Sequence, residues 1–128
     1  MTQSDRPKRS LRVLVVDDDR DTAQIFAALI EAMHHEAAYV TDPLKAVEVA
    51  RAFRPDIAFL DLGMPNIDGY ALARIFRGMP ELSGLALVAV SGHDEPKDRA
   101  RSRQAGFDAH VGKPLDAPLL ESILAQFG

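Results

Sequence analysis

The chain has 128 residues, of which 47% are hydrophobic, 27% charged and 6% aromatic; that fits one globular domain with a single core and is too short for two ordinary ones. A net charge of −4 excludes a general nucleic-acid-binding surface, which needs a basic excess, and zero cysteines exclude disulfides and thiolate metal sites. No apolar stretch approaches the ~20 residues of a membrane helix, and the polar start MTQSDRPKRS lacks the apolar core of a secretory signal, so a cytoplasmic protein with no membrane partner is expected.

Residues 1–10 read as a flexible lead-in and residues 11–128 as the folded domain. The β-branched run 11–16 predicts a first strand, and Asp21 or Thr22 a cap for a helix carrying Ile25, Phe26, Leu29, Ile30 and Met33. Residues 37–40 form a weak second strand. Thr41-Asp42-Pro43 then opens a helix with Leu44, Val47 and Val49, proline sitting well in a first turn, and Arg54-Pro55 ends it. A third strand at 57–60 leads through Gly63-Met64-Pro65-Asn66 into a helix from about Asp68 holding Leu72, Ile75 and Phe76. The fourth strand covers 85–90. A helix over about 95–105 stops before Gly106, a suitable left-handed cap, and a short fifth strand spans 108–111. The last helix, 116–127, is expected to bury Leu119, Leu120, Ile123 and Leu124. Uninterrupted apolar strands alternating with helices imply an α/β fold, a parallel sheet covered on both faces.

Four apolar runs stop at residues suited to phosphate or metal chemistry: VLVV at Asp17-Asp18, IAFL at Asp61, LVAV at Ser91 and HVG at Lys113. Parallel strands bring their C-terminal ends to one edge, so these residues become neighbours. Asp61 is the candidate nucleophile, since a carboxylate at a strand end can attack phosphorus and hold the group as an acyl phosphate. A carboxylate and a phosphoryl group repel, so a divalent cation is required between them; magnesium, with one or two carboxylates, waters and phosphate oxygens, suits Asp17 and Asp18. Lys113 neutralises another phosphate oxygen and the Ser91 hydroxyl donates to a third. Taken singly, an Asp after a strand is more often a turn former or cap, and a lone Lys a solvated charge; it is the ordered set that carries the chemistry.

Four segments carry a close resemblance to the response-regulator receiver family of two-component signalling: VLVVDDD (13–19), FLDLGMPNIDG (59–69), VAVSG (88–92) and GFDAHVGKP (106–114). The resemblance implies a flavodoxin-like, five-stranded parallel sheet of order 2-1-3-4-5 with helices on both faces and its site between the first and third strands. It also implies that Asp17 and Asp18 are the magnesium-binding pair, Asp61 the phosphoacceptor, Ser91 the switch hydroxyl and Lys113 the phosphate-contacting lysine. Gly63 takes the place whose backbone carbonyl joins the metal, and Lys113-Pro114 matches a bond usually held cis. A histidine kinase or histidine phosphotransfer protein is the implied donor. With no output domain after Phe127, a downstream protein of unknown identity is the implied target, and the only catalysis is of the domain's own phosphorylation and dephosphorylation.

His110 stands where many members of that family have Tyr or Phe, and two readings are open: a ring that turns inward with Ser91 on activation, or a half-exposed strand histidine without that duty. His93 reads as an exposed loop histidine. His34-His35, placed on a helix, point about 100° apart and do not converge on a metal. Lys97, Arg99, Arg101 and Arg103 make the fourth helix basic, and with only Ala100 and Ala105 as apolar anchors it is expected to be the most mobile. Apolar side chains left exposed on the first helix would dock a kinase or phosphotransfer helix bundle. Two other functions stay open. One is a haloacid-dehalogenase-like phosphatase with Asp17 as nucleophile and Asp19 as acid, which leaves Asp61 without a task. The other is a receiver-like binding module that works without phosphate.

Overall fold

A computed structural model describes residues 10–64, 67–92 and 96–127. Five βα units follow one another: β1 (Arg12–Val16), α1 (Arg20–Ala32), β2 (Glu36–Val40), α2 (Ala46–Phe53), β3 (Ile57–Asp61), α3 (Gly69–Gly78), β4 (Ala86–Ser91), α4 (Pro96–Ala105), β5 (Ala109–Gly112) and α5 (Ala117–Phe127). All strands pair in parallel in the order β2-β1-β3-β4-β5. The chain steps outward from β1 to β2 and then returns past β1 to β3. With right-handed crossovers, that reversal puts α1 on one face and α2 on the other.

Alternation along the strands splits the core accordingly. Val13, Val15, Phe59, Val88 and Val111 face α1 and α5, meeting Phe26, Ile30, Leu120 and Ile123. Leu14, Leu60, Leu87 and Ala89 face α2, α3 and α4, meeting Ala50, Leu72, Phe76 and Ala105. Both faces of β1, β3 and β4 are buried, which is why they read as unbroken apolar runs, whereas β2 at the sheet edge is only partly covered. Each large side chain removed from water in this way contributes about 1.5–3 kcal/mol.

Several local expectations change. Asp19, not Asp21 or Thr22, caps α1, accepting from the Asp21 N–H and the Thr22 hydroxyl. An aspartate two residues earlier leaves room for the first turn to begin at Arg20. Pro43 starts a short 3-10 turn (Pro43–Lys45), capped by Asp42, before α2 begins. Helical periodicity leaves Ile25, Leu44, Ile75 and Leu119 exposed, so Leu119 is not among the residues that α5 buries. His34 and His35 follow α1 rather than lying on it: His34 takes the left-handed conformation at φ 69°, and His35 Nδ1 accepts from the Leu11 N–H. The expected lead-in lies outside the described residues up to Ser10, as do His93 and the Pro65-Asn66 part of the third loop.

At the edge opposite the strand C-termini, Arg77 of α3 fastens several segments. Its guanidinium donates to the carbonyls of Gly106, Ser83 and Leu85 and pairs with Asp108, whose Oδ2 also accepts from the Leu87 N–H. Gly106, at φ 106°, is required here twice over: the conformation is left-handed, and a Cβ would meet Arg77 at 2.8 Å. Replacing Arg77 by Ala should lower stability by about 2 kcal/mol, read as a drop in the urea midpoint with an unchanged slope.

Candidate functional site

The strand ladders bring the sequence candidates to one rim. Asp61 is the last residue of β3 and is paired in register with Val90, one before Ser91, the last residue of β4. Ser91 pairs with Gly112, and the Lys113 N–H donates to the Ser91 carbonyl at 2.8 Å. Asp17 leaves β1 with its N–H on the Val40 carbonyl. Asp61 and Ser91 thus belong to strands rather than to the loops that follow, and the backbone ladder fixes where their side chains start.

Asp17, Asp18 and Asp61 each place a carboxylate oxygen within 4.8 Å of the others. Asp17 and Asp61 are buried and Asp18 is exposed. Local hydrogen bonds orient them: Asp17 Oδ1 accepts from the Asp19 N–H at 2.9 Å, and Asp61 Oδ1 from the Gly63 N–H at 2.8 Å. A Cβ at Gly63 would lie 3.4 Å from that same Asp61 oxygen, so glycine lets the backbone approach the carboxylate. At the start of α3, Gly69 serves close packing instead: a Cβ there would meet Leu62 Cδ2 at 2.7 Å and the Asp61 carbonyl oxygen at 3.1 Å. Lys113 Nζ donates to Asp61 Oδ2 at 3.0 Å and stands 3.8 Å from Asp17 Oδ2. The Lys113-Pro114 bond is cis.

Burial pushes the Asp17 carboxyl above the ordinary aspartate range, and the charge of Asp61 adds to that. The Asp19 N–H and Lys113 pull the other way without cancelling it. Burial by itself would lower Lys113, but its hydrogen bond to Asp61 and the charges of Asp61, Asp17 and Asp18 outweigh this and raise it. Asp19 is lowered, chiefly by the Thr22 hydroxyl, consistent with its work as a cap. Three carboxylates with a single ammonium leave net negative charge, and the donor set is entirely oxygen, which suits a hard divalent cation.

Beside the acidic rim, α1 and the segment after β5 enclose a cleft of about 300 Å³ whose walls include Ile25, Phe26, Leu29, Pro114 and Leu115. On the other face of the sheet, His110 is buried rather than half-exposed. Its Nε2 is 2.8 Å from Ser91 Oγ and its Nδ1 2.7 Å from Ser102 Oγ. Ser102, on α4, escaped the sequence reading because a serine among arginines resembles a solvated position. Its spacing of three from Ala105, both buried, was the available signal.

A family model described as the response regulator receiver domain matches residues 13–125. This chain belongs to the receiver family. The receiver is 30% identical over 117 residues to the polar-differentiation response regulator DivK of Brucella anthropi, covering 91% of this chain and 95% of that protein. Among solved structures, a CheY-like receiver domain from Methylobacillus flagellatus superposes with a TM-score of 0.83 at 30% identity, covering 94% of this chain and 100% of that one. The chemotaxis protein CheY4 of Vibrio cholerae shares the fold at TM-score 0.88 and 19% identity, with coverage of 94% and 100%. As a receiver, the chain is a signalling domain of two-component systems, and the haloacid-dehalogenase alternative gives way. No helix among the described residues is long and apolar enough to cross a membrane.

Because folded Asp17 binds its proton more tightly than the unfolded chain does, Asp17's own contribution to metal-free stability is fully present at acid pH and is lost as pH rises through the raised value. Asp17→Asn should therefore raise the metal-free Tm at pH 7 by a few degrees and flatten the pH dependence above about pH 4. A divalent cation that binds this acidic rim would, at a hundredfold over its Kd, stabilise the wild type by about 2.7 kcal/mol and the variant far less. Thermal unfolding followed by circular dichroism, with and without magnesium, reads both effects.

Proposed function

We propose that this receiver accepts a phosphoryl group from a phosphohistidine on a histidine kinase or phosphotransfer protein, with Asp61 as the acceptor. The observation that carries this reading is the sharing of one rim by three carboxylates, with Lys113 hydrogen-bonded to Asp61. An Asp61 oxygen attacks phosphorus, the phosphorus–nitrogen bond breaks, and its electron pair stays on the donor imidazole. Magnesium, held by Asp17, Asp18, Asp61 and the Gly63 carbonyl, would supply the positive charge that lets the carboxylate and phosphoryl oxygens approach. Lys113 then passes from the carboxylate to a phosphoryl oxygen, and the Ser91 hydroxyl donates to another. The domain turns over no substrate beyond its own phosphoryl group, and it signals to a downstream protein by population shift between two arrangements of its α4-to-α5 surface. Neither nucleic acid nor membrane is a direct partner.

The donor docks against α1. Ile25, at 64% exposure, stands at the lip of the apolar cleft beside the rim, where a helix bearing phosphohistidine can lay its apolar face while its imidazole reaches Asp61.

Asp61→Asn should abolish magnesium-dependent labelling by acetyl phosphate, with persistent labelling showing that another carboxylate is the acceptor. Ile25→Asp should slow transfer from a phosphohistidine protein by about tenfold or more while acetyl phosphate labels it at the wild-type rate. Equal slowing with both donors would place the defect in the chemistry rather than in docking.

A further inference from the structure

Ser91 is joined to α4 by a buried polar chain that the phosphoacceptor reading does not use. His110 lies opposite Ala89 in the ladder, on the face covered by α4, and its two nitrogens meet Ser91 Oγ at 2.8 Å and Ser102 Oγ at 2.7 Å. Ser102 is 1% exposed and His110 7% exposed, so both are shut off from water. In its neutral form an imidazole has one N–H and one acceptor nitrogen, and the two bonds can be arranged in two ways. In the first, the Ser91 hydroxyl donates to Nε2 and Nδ1–H donates to Ser102. In the second, the Ser102 hydroxyl donates to Nδ1 and Nε2–H donates to Ser91 Oγ. Only the second has His110 take no hydrogen from Ser91, and a hydroxyl has a single hydrogen to give to a phosphoryl oxygen.

We propose that His110 is a positioning residue for the phosphorylated state. Locked as the Nε2–H tautomer by a hydrogen bond from Ser102, it holds Ser91 Oγ as acceptor so that the Ser91 hydroxyl points its hydrogen at the phosphoryl group. The proton count does not change between the two arrangements: each serine keeps one hydrogen, and the single imidazole proton sits on Nε2 instead of Nδ1. This inference rests on Asp61 as the phosphoacceptor and extends it, because it makes α4 part of the site. Besides Ser102, the described contacts of α4 include Ala105 in the core and Arg101, which stacks 4.1 Å over the Tyr70 ring and reaches Asp68 at 3.5 Å. A reversed bond at Ser102 therefore acts directly on α4.

The test is nitrogen NMR of the histidine-labelled full chain with magnesium and beryllofluoride, which stands in for a phosphoryl group on an aspartate. The His110 signals are assigned by their loss in His110→Phe. The wild type is expected to show His110 protonated on Nε2 alone. Ser102→Ala should lose that fixed tautomer and bind beryllofluoride about fivefold more weakly, whereas Ser102→Thr, which keeps a hydroxyl, should retain both properties. Protonation on Nδ1 or on both nitrogens in the bound wild type would overturn the proposal, and so would wild-type affinity and tautomer in Ser102→Ala. Should Ser102→Ala fail to fold, the wild-type tautomer decides by itself. Absence of beryllofluoride binding by the wild type would instead strike the phosphoacceptor reading, and this inference with it.

Discussion

Like charges held together at a buried rim are the constraint on which the rest of the molecule depends. Oxygens of Asp17, Asp18 and Asp61 lie within 4.8 Å of one another, with Asp17 and Asp61 largely removed from water. Mutual repulsion at such distances, with an effective dielectric near 20, is on the order of a few kcal/mol. The fold withstands it because the carboxylates grow from strand ends whose backbones are fixed by ladder hydrogen bonds, and because Lys113 lies against Asp61 at 3.0 Å. Burial, with the charge of Asp61 adding to it, raises Asp17, and the crowding makes the rim receptive to a cation. Site strain and ligand demand are thus one property of the rim.

The two faces of the sheet give that rim two neighbourhoods of different chemistry. Beside α1 and α5 the surroundings are apolar, with Phe26, Phe59 and Leu120 in the core and Ile25 left in solvent at the lip of a cleft. A surface of this kind suits an incoming helix, since it offers apolar area next to the charged rim of Asp17, Asp61 and Lys113. Across the sheet the neighbourhood is polar: Ser91, His110 and Ser102 form a hydrogen-bonded chain inside the core. Buried polar groups are costly when unpaired, so each member of the chain constrains the others. On the proposed function, phosphoryl arrival and its transmission to α4 would fall on opposite faces of the sheet.

Helix α4 takes on a different character once that chain is recognised. Its composition, rich in arginine and poor in large apolar residues, pointed to a loosely held helix. The structure adds contacts that composition does not reveal: Ser102 in the core, Arg101 over Tyr70, and the Gly106 turn seated on Arg77. These contacts are polar or electrostatic in large part, and they respond to a change of charge or proton position more sharply than a hydrophobic seam would.

The amino-acid order alone determined the alternating βα pattern, the parallel sheet and the identity of the residues at the strand ends, because apolar runs bounded by turn formers carry those signals locally. Asp17, Asp18, Asp61, Ser91 and Lys113 were legible for the same reason: each closes an apolar run. Tertiary structure decided the features that depend on which elements become neighbours. Whether Asp19 or Asp21 capped α1, whether Ile25 and Leu119 were covered, and whether His34-His35 stayed helical turned on packing and local geometry. Above all, nothing local distinguishes Ser102 from a solvated serine or His110 from a half-exposed one. Their pairing across eight residues exists only because α4 lies over β5, which is a property of the folded chain.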